Sequence, residues 1–133
     1  MVQKIAHIGI AVKNLQEALT FYRDVLGLEA SLPQVLEEQQ VKVAFLPVGE
    51  TKLELLEPTG PDSPVARFLE ARGEGVHHLA VQVEDIDLRL KEIAAAGGRL
   101  IDKTPRRGAG GTRIAFIHPK TASGVLLELC QKD

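Results

Sequence analysis

An internal repeat is the feature that most constrains the fold of this chain. Residues 4–58 predict a strand, a helix and about three further strands, and the same order starts again near residue 76. Laying His78 on His7 sets the offset between the copies at 71 residues (78 − 7). Two such units can place their sheets side by side, so we predict an α+β fold in which two tandem βαβββ modules form one concave mixed sheet.

The length of the chain and its proline and glycine residues indicate the boundaries of these modules. A chain of 133 residues is short enough for a single domain. We expect module 1 at about 1–58, a connector at 59–75 and module 2 at about 76–133. Within the connector, Ser63 as N-cap and Pro64 at the first helical position predict a short helix that ends near Arg72.

The helix of each module has a recognisable beginning. Asn14 precedes the first one and Glu17 completes a capping box, while Asp85 precedes the second. Apolar residues at helical spacing predict the buried side of each: Leu15, Leu19, Tyr22 and Leu26 in the first, and Ile86, Leu90 and Ile93 in the second. Strands are expected near 29–36, 41–49 and 51–58, and again near 99–104, 113–118 and 124–130.

Composition narrows the function classes. The net charge of −2 gives no reason to expect nucleic acid as a partner, and no apolar run approaches the ~20 residues of a membrane span. The first residues lack the apolar core of a signal peptide, and the single cysteine, Cys130, fits a reducing compartment. We therefore expect a cytoplasmic protein with no membrane partner.

The sequence "VHHLAVQV" at 76–83 places two histidines side by side in a predicted strand. Side chains alternate between the faces of a strand, so His77 and His78 point in opposite directions. Positions 77, 79, 81 and 83 hold His, Leu, Val and Val, and this mostly apolar set should face the helix. His78 should share the opposite face with small and polar residues.

The same alternation selects one histidine and one glutamate in each module. His7 and Glu54 lie on the predicted helix-free face of module 1, and His78 and Glu128 on that of module 2. Two imidazoles and two carboxylates suit a divalent transition metal such as Co, Mn, Ni, Fe or Zn. Taken singly, each residue is better explained as a hydrogen-bonded histidine or a solvated glutamate. Their repeated placement favours the metal.

Several segments resemble a known family. "HIGIAVKNLQEALTFYRDVLG", "LELLEPTGPDSPVARFLEARGEGVHHLAVQVEDID" and "GTRIAFIHPKTASGVLLEL" are similar to the methylmalonyl-CoA epimerases of the vicinal oxygen chelate superfamily. The resemblance spans nearly the whole chain. It implies a glyoxalase-type fold, an acyl-CoA substrate, a homodimer and a divalent metal, with Co²⁺ first and Mn²⁺, Ni²⁺ or Zn²⁺ as alternatives. It also implies that His7, Glu54, His78 and Glu128 are the metal ligands.

The implied reaction interconverts the 2R and 2S epimers of methylmalonyl-CoA by removing and returning the C2 proton. Glu128 is the candidate catalytic carboxylate for that proton. Val43 stands where some members of the family carry a glutamate, and valine cannot transfer a proton. Arg106 and Arg107, before a glycine-rich turn, suit either the phosphates of coenzyme A or plain exposure to solvent.

Two other functions fit the same residues. A glyoxalase I-type lactoylglutathione lyase uses the same ligand types on a hemithioacetal. A ligand-sequestering binding protein of the same fold is the non-enzymatic alternative, and the complete His/Glu set argues against it.

Overall fold

The computed structural model describes residues 1–132. Within them, eight strands and three α-helices follow one another, in the order β1 Val2–Ala11, α1 Leu15–Leu19, β2 Gln34–Leu36, β3 Val41–Val48, β4 Thr51–Pro58, α2 Pro64–Arg72, β5 Gly75–Val83, α3 Ile86–Ala95, β6 Arg106–Arg107, β7 Arg113–Ile117 and β8 Leu127–Gln131. They form two compact units. The first unit is His7–His77, and the second comprises residues 1–6 and the described chain from His78 onward.

In the first unit the strands are ordered β2-β3-β4-β1, with β1 parallel to β4 and the other pairs antiparallel. One sheet face packs against α1 through a buried cluster that consists of Val12, Leu15, Leu19, Ala44, Leu46 and Leu55. The opposite face carries a second cluster, which Phe68 and Leu69 of α2 cover in part. The alternation predicted for β1 and β4 is confirmed.

The second unit repeats this arrangement in the order β5-β8-β7-β6, with β5 parallel to β8. Its helix α3 packs on a cluster made of Val83, Ile86, Leu90, Ala115, Ile117 and Leu129. Val83, Ile86 and Leu90 of this cluster are residues that the strand and helix periods predict to be inward. The repeat is therefore present in the structure as well as in the sequence, because both units pair their first and last long strands in parallel.

The first helix is shorter than its apolar pattern predicts. After Leu19 the chain continues as a π-helical segment, Thr20–Val25, and the Leu26 amide donates to the carbonyl of Phe21, five residues earlier (2.8 Å). A π turn holds more residues than an α turn, so the 3.6-residue spacing no longer sets which side faces inward. Leu26, expected in the core, is accordingly exposed. Gly27 ends the segment with a positive φ of 90°.

Two predicted strands are largely absent among the described residues. The segment 99–104 makes an isolated bridge, Leu100 to Ile117, and the amides of Ile101 and Asp102 both donate to the Phe116 carbonyl, but no continuous strand forms. The reason is that the Asp102 side chain accepts the Phe116 amide at 2.8 Å, so a carboxylate takes the place of a backbone carbonyl. The strand expected at 29–36 is likewise reduced to β2, which begins directly after a proline.

The predicted N-caps of α1 and α3 are both present. The Asn14 carbonyl oxygen accepts from the Glu17 amide at 2.9 Å, and the Asp85 carboxylate accepts from the Leu88 amide at 3.1 Å. Each bond satisfies one amide that the first helical turn leaves without an intrahelical partner. The two helices that flank the sheet faces therefore begin where the sequence predicts.

We expect Asn14→Ala to lower the free energy of unfolding by about 1 kcal/mol, because the Glu17 amide loses its acceptor. Urea denaturation followed by circular dichroism measures this change. Gln16→Ala, an exposed substitution in the same helix, is the matched control and should change stability by less than about 0.5 kcal/mol. Equal losses in both variants would contradict the assignment of the cap.

Candidate metal centre

The four predicted ligands lie in two histidine–glutamate pairs, one in each unit. In the first unit the His7 Nε2 lies 3.6 Å from the Glu54 Oε1, and in the second the His78 Nε2 lies 3.4 Å from the Glu128 Oε1. Glu54, His78 and Glu128 are 6%, 4% and 4% exposed. The structure thus brings each histidine to its own glutamate, in both units through the same pair of atoms.

Strand register explains this correspondence. Glu54 on β4 lies opposite Gly9 on β1, two residues beyond His7. Glu128 on β8 lies opposite the residue two beyond His78 on β5. Residues two apart on a strand share a face, so in each unit the parallel pairing places the imidazole and the carboxylate on the same side of the sheet. The period-two argument from the sequence is confirmed.

A phenylalanine lies opposite each glutamate on the third strand. Phe45 pairs with Glu54, and Phe116 pairs with Glu128. The Phe116 ring meets the His78 imidazole edge to face, with 5.6 Å between ring centres. This contact limits the rotation of the His78 ring.

The backbone of each phenylalanine is held by a side chain from a poorly paired segment. The Phe45 amide donates to the Ser31 hydroxyl at 2.9 Å, and the Phe116 amide donates to the Asp102 carboxylate at 2.8 Å. Ser31 and Asp102 are 71 residues apart, the same offset that separates the two histidines. Sequence reasoning missed these four supporting residues, although the repeat offset was the signal that could have identified them.

A second repeated contact joins each glutamate-bearing strand to a helix. The Leu15 amide donates to the Glu57 carboxylate at 2.7 Å, and the Ile86 amide donates to the Gln131 side chain at 2.9 Å. Glu57 and Gln131 each lie three residues beyond the glutamate of their own unit. The first turn of each helix is therefore tied to the strand that carries the candidate ligand.

His77 points away from its neighbour, as predicted. Its ring packs edge to face on Phe68 of α2 at 5.0 Å between centres. His78 instead contacts Glu128 and Phe116. The doubled histidine therefore consists of one candidate ligand and one residue that packs against a helix, although the helix is α2 of the connector.

Val43 lies on the same strand face as Phe45 and is fully buried with Leu56 and Val65. Lys42, its neighbour on β3, points to the other face because adjacent strand residues alternate. Neither residue brings a titratable group to the face of Glu54.

The donor set fits a divalent cation. Neutral imidazole nitrogens and carboxylate oxygens are common ligands of Co, Mn, Ni and Zn. Burying a carboxylate beside a neutral imidazole costs free energy unless a positive charge compensates it. Glu54 and Glu128 are both almost inaccessible to solvent, so a bound cation would offset the cost of burying their charge.

The family model for the glyoxalase/bleomycin resistance protein/dioxygenase superfamily matches residues 6–116. The chain belongs to this superfamily. The predicted α+β fold of repeated modules is therefore confirmed by the family as well as by the strand order.

Individual relatives are also similar along nearly the whole chain. The chain is 41% identical to the mitochondrial methylmalonyl-CoA epimerase of Dictyostelium discoideum, over 97% of this chain and 78% of that protein. A solved structure of a methylmalonyl-CoA epimerase in complex with methylmalonyl-CoA and NH4+ is 42% identical, with a TM-score of 0.94, covering 99% of this chain and 96% of that one. A probable lactoylglutathione lyase of Vibrio cholerae is 30% identical over 96% of this chain and 90% of that protein.

None of the helices in residues 1–132 has the length and apolar character that crossing a membrane requires.

We expect His78→Ala to weaken binding of Co²⁺ at least about tenfold, because the site loses a nitrogen ligand. His77→Ala should leave metal affinity unchanged and lower the melting temperature, since Phe68 loses its ring contact. Calorimetric titration of the metal and thermal melting of both variants provide the two measurements. If the two variants lost metal affinity equally, the assignment of the faces would be wrong.

Proposed function

We propose that this chain is a metal-dependent epimerase that interconverts the 2R and 2S forms of methylmalonyl-CoA. The observation that carries the proposal is the pair of buried histidine–glutamate contacts in identical register. A relative and a solved structure that are named methylmalonyl-CoA epimerase, about 40% identical over nearly the whole chain, support the choice of substrate.

In this proposal His7, Glu54, His78 and Glu128 together bind one divalent cation, with Co²⁺ first and Mn²⁺, Ni²⁺ or Zn²⁺ as alternatives. When bound, the cation supplies Lewis acidity toward the thioester and carboxylate oxygens of the substrate. Both histidines then act as neutral nitrogen donors through Nε2, the atom that faces each glutamate. Phe116 keeps the His78 ring in place for this role.

Glu128 removes the proton from C2. Its carboxylate is buried and lies beside the His78 imidazole. A proton must also be delivered on the opposite face of C2. Val43 cannot deliver it, so this chain does not use the glutamate that some relatives carry at that position. Water then becomes the simplest proton source for the second face.

The epimerase is preferred over the two alternatives on separate grounds. Identity to the lactoylglutathione lyase is 30%, against 41% and 42% to the epimerases. A ligand-sequestering binding protein has no need of two buried histidine–glutamate pairs, because burial of carboxylates without a chemical role is costly.

We further propose that the chain acts as a single cytoplasmic domain, with module 1 at about 1–58, a connector at 59–75 and module 2 at about 76–133, and that it forms a homodimer. The single cysteine supports a reducing compartment. The short strands β2 and β6 end the strand order of their units. The backbone groups along the outer side of an edge strand can pair with another chain, which supports association with a second copy.

Proton exchange at C2 tests the reaction directly. In D₂O with Co²⁺ or Mn²⁺ we expect deuterium to enter C2 of methylmalonyl-CoA and the two epimers to interconvert, as read by NMR. A chelator should stop both processes. Turnover of methylglyoxal with a thiol is the comparison reaction. Exchange that fails with every metal tested would reject the epimerase, and thiol-dependent turnover instead would favour the lyase.

Glu128→Gln tests the proposed base with little change in shape. The amide cannot accept the C2 proton, so we expect the exchange rate to fall at least about 100-fold. Melting temperature and metal content, measured on the same sample, separate lost chemistry from lost ligand binding. Exchange at the wild-type rate in a metal-loaded variant would remove Glu128 from this role.

A further inference from the structure

The hairpin of residues 99–113 is the most strongly charged segment that the proposed site leaves unexplained. It contains five cationic side chains and one carboxylate, a net charge of +4, in a chain whose total is −2. Arg113 is already paired, since its guanidinium lies 2.6 Å from the Asp87 carboxylate on α3. The remaining positive charge favours an anionic ligand at this hairpin.

Strand register separates the two neighbouring arginines of β6. Arg106 lies opposite Ile114, and Arg107 lies opposite Arg113. Directly opposed residues in an antiparallel pair share a face. Ile114 is two residues from Phe116 and shares its face, whereas Arg113 turns to α3 on the other face. Arg106 therefore lies on the face of His78 and Glu128, and Arg107 on the helix side.

Arg106 is also held in place on that face. Its guanidinium carbon lies 5.4 Å from the centre of the Phe116 ring, and its Nε lies 3.4 Å from the Asp102 carboxylate. Phe116 in turn contacts His78 at 5.6 Å between ring centres. The guanidinium is thus one aromatic ring away from a candidate ligand, while its side chain remains 44% exposed.

The turn that follows leaves room for a bulky ligand. Gly110 and Gly111 have φ values of 67° and 76°, and nothing lies within 4 Å of the position that a Cβ would take on either. Because neither glycine carries a side chain, a ligand can approach the backbone of this turn closely. A guanidinium beside such a turn offers a planar fork that matches phosphate oxygens.

We propose that Arg106, and not Arg107, binds a phosphate group of the coenzyme A portion of the substrate. This inference rests on the proposed function, which already assigns the substrate carboxylate and thioester to the metal. The phosphates lie one pantetheine arm away from the thioester. A cation that binds them must lie outside the ligand pair and be open to solvent, and Arg106 meets both conditions while sharing the face of His78 and Glu128.

Binding of an unreactive thioester tests the inference without relying on turnover. Propionyl-CoA and propionyl-pantetheine differ in the phosphates and nucleotide, and each is titrated calorimetrically into metal-loaded wild type, Arg106→Gln and Arg107→Gln. We expect Arg106→Gln to weaken binding of propionyl-CoA about tenfold, the loss of one charged hydrogen-bonded contact. Its binding of propionyl-pantetheine should change less than twofold, and Arg107→Gln should bind both as the wild type does.

Four outcomes would overturn the inference. Equal effects of the two arginine variants would mean general electrostatic attraction, and an equal loss for both thioesters would place Arg106 at the acyl end or in folding. Melting temperatures identify the folding case. If Arg106→Gln binds propionyl-CoA as tightly as the wild type does, only the role of Arg106 is rejected. Failure of the wild type to bind propionyl-CoA rejects the proposed substrate class together with it.

Discussion

Parallel pairing of the first and last long strands in each unit is the constraint on which the candidate site depends. Two parallel neighbours need a long crossover connection, and the helix and intervening strands of each module supply it. The pairing brings His7 beside Glu54 although they are 47 residues apart, and His78 beside Glu128 at a separation of 50. If the only strand pairs were antiparallel hairpins, each strand would contact just its neighbour in sequence, and the two ends of a module would not meet.

Burial makes this arrangement expensive unless a cation is present. Each glutamate is removed from water next to an imidazole that is neutral when it acts as a ligand, so little charge offsets the carboxylate. Apolar clusters on both faces of the first unit and under α3 in the second stabilise the fold and offset the free-energy cost of burying the carboxylates. The capping contacts of Glu57 and Gln131 add rigidity at the far end of the same strands. A cation bound at these pairs and the fold around them would thus stabilise each other.

The faces of the long strands could be predicted from the sequence because alternation is a local rule. His78 and His77 needed only their neighbours to be assigned to opposite sides, and the repeat then identified His7 and the two glutamates. The errors arose where tertiary contacts replaced local ones. The π-helical segment at Thr20–Val25 turned Leu26 outward, and the Asp102 carboxylate replaced the strand predicted at 99–104. Neither contact changes the spacing of apolar residues, so hydrophobic periodicity could not predict it.

Comparison of the two units shows how a repeated scaffold can acquire different chemistry in each copy. In the first unit the Phe45 backbone is held by a hydroxyl and its ring lies 5.6 Å from the Lys52 ammonium. In the second, Phe116 is held by a carboxylate, and that same carboxylate orients Arg106. Lysine presents a mobile point charge, whereas a guanidinium fixed by both a ring and a carboxylate presents a directed fork. Because backbone register holds the histidine–glutamate pairs in place, a change at these flanking positions can alter which anion is attracted while the geometry of those pairs stays the same.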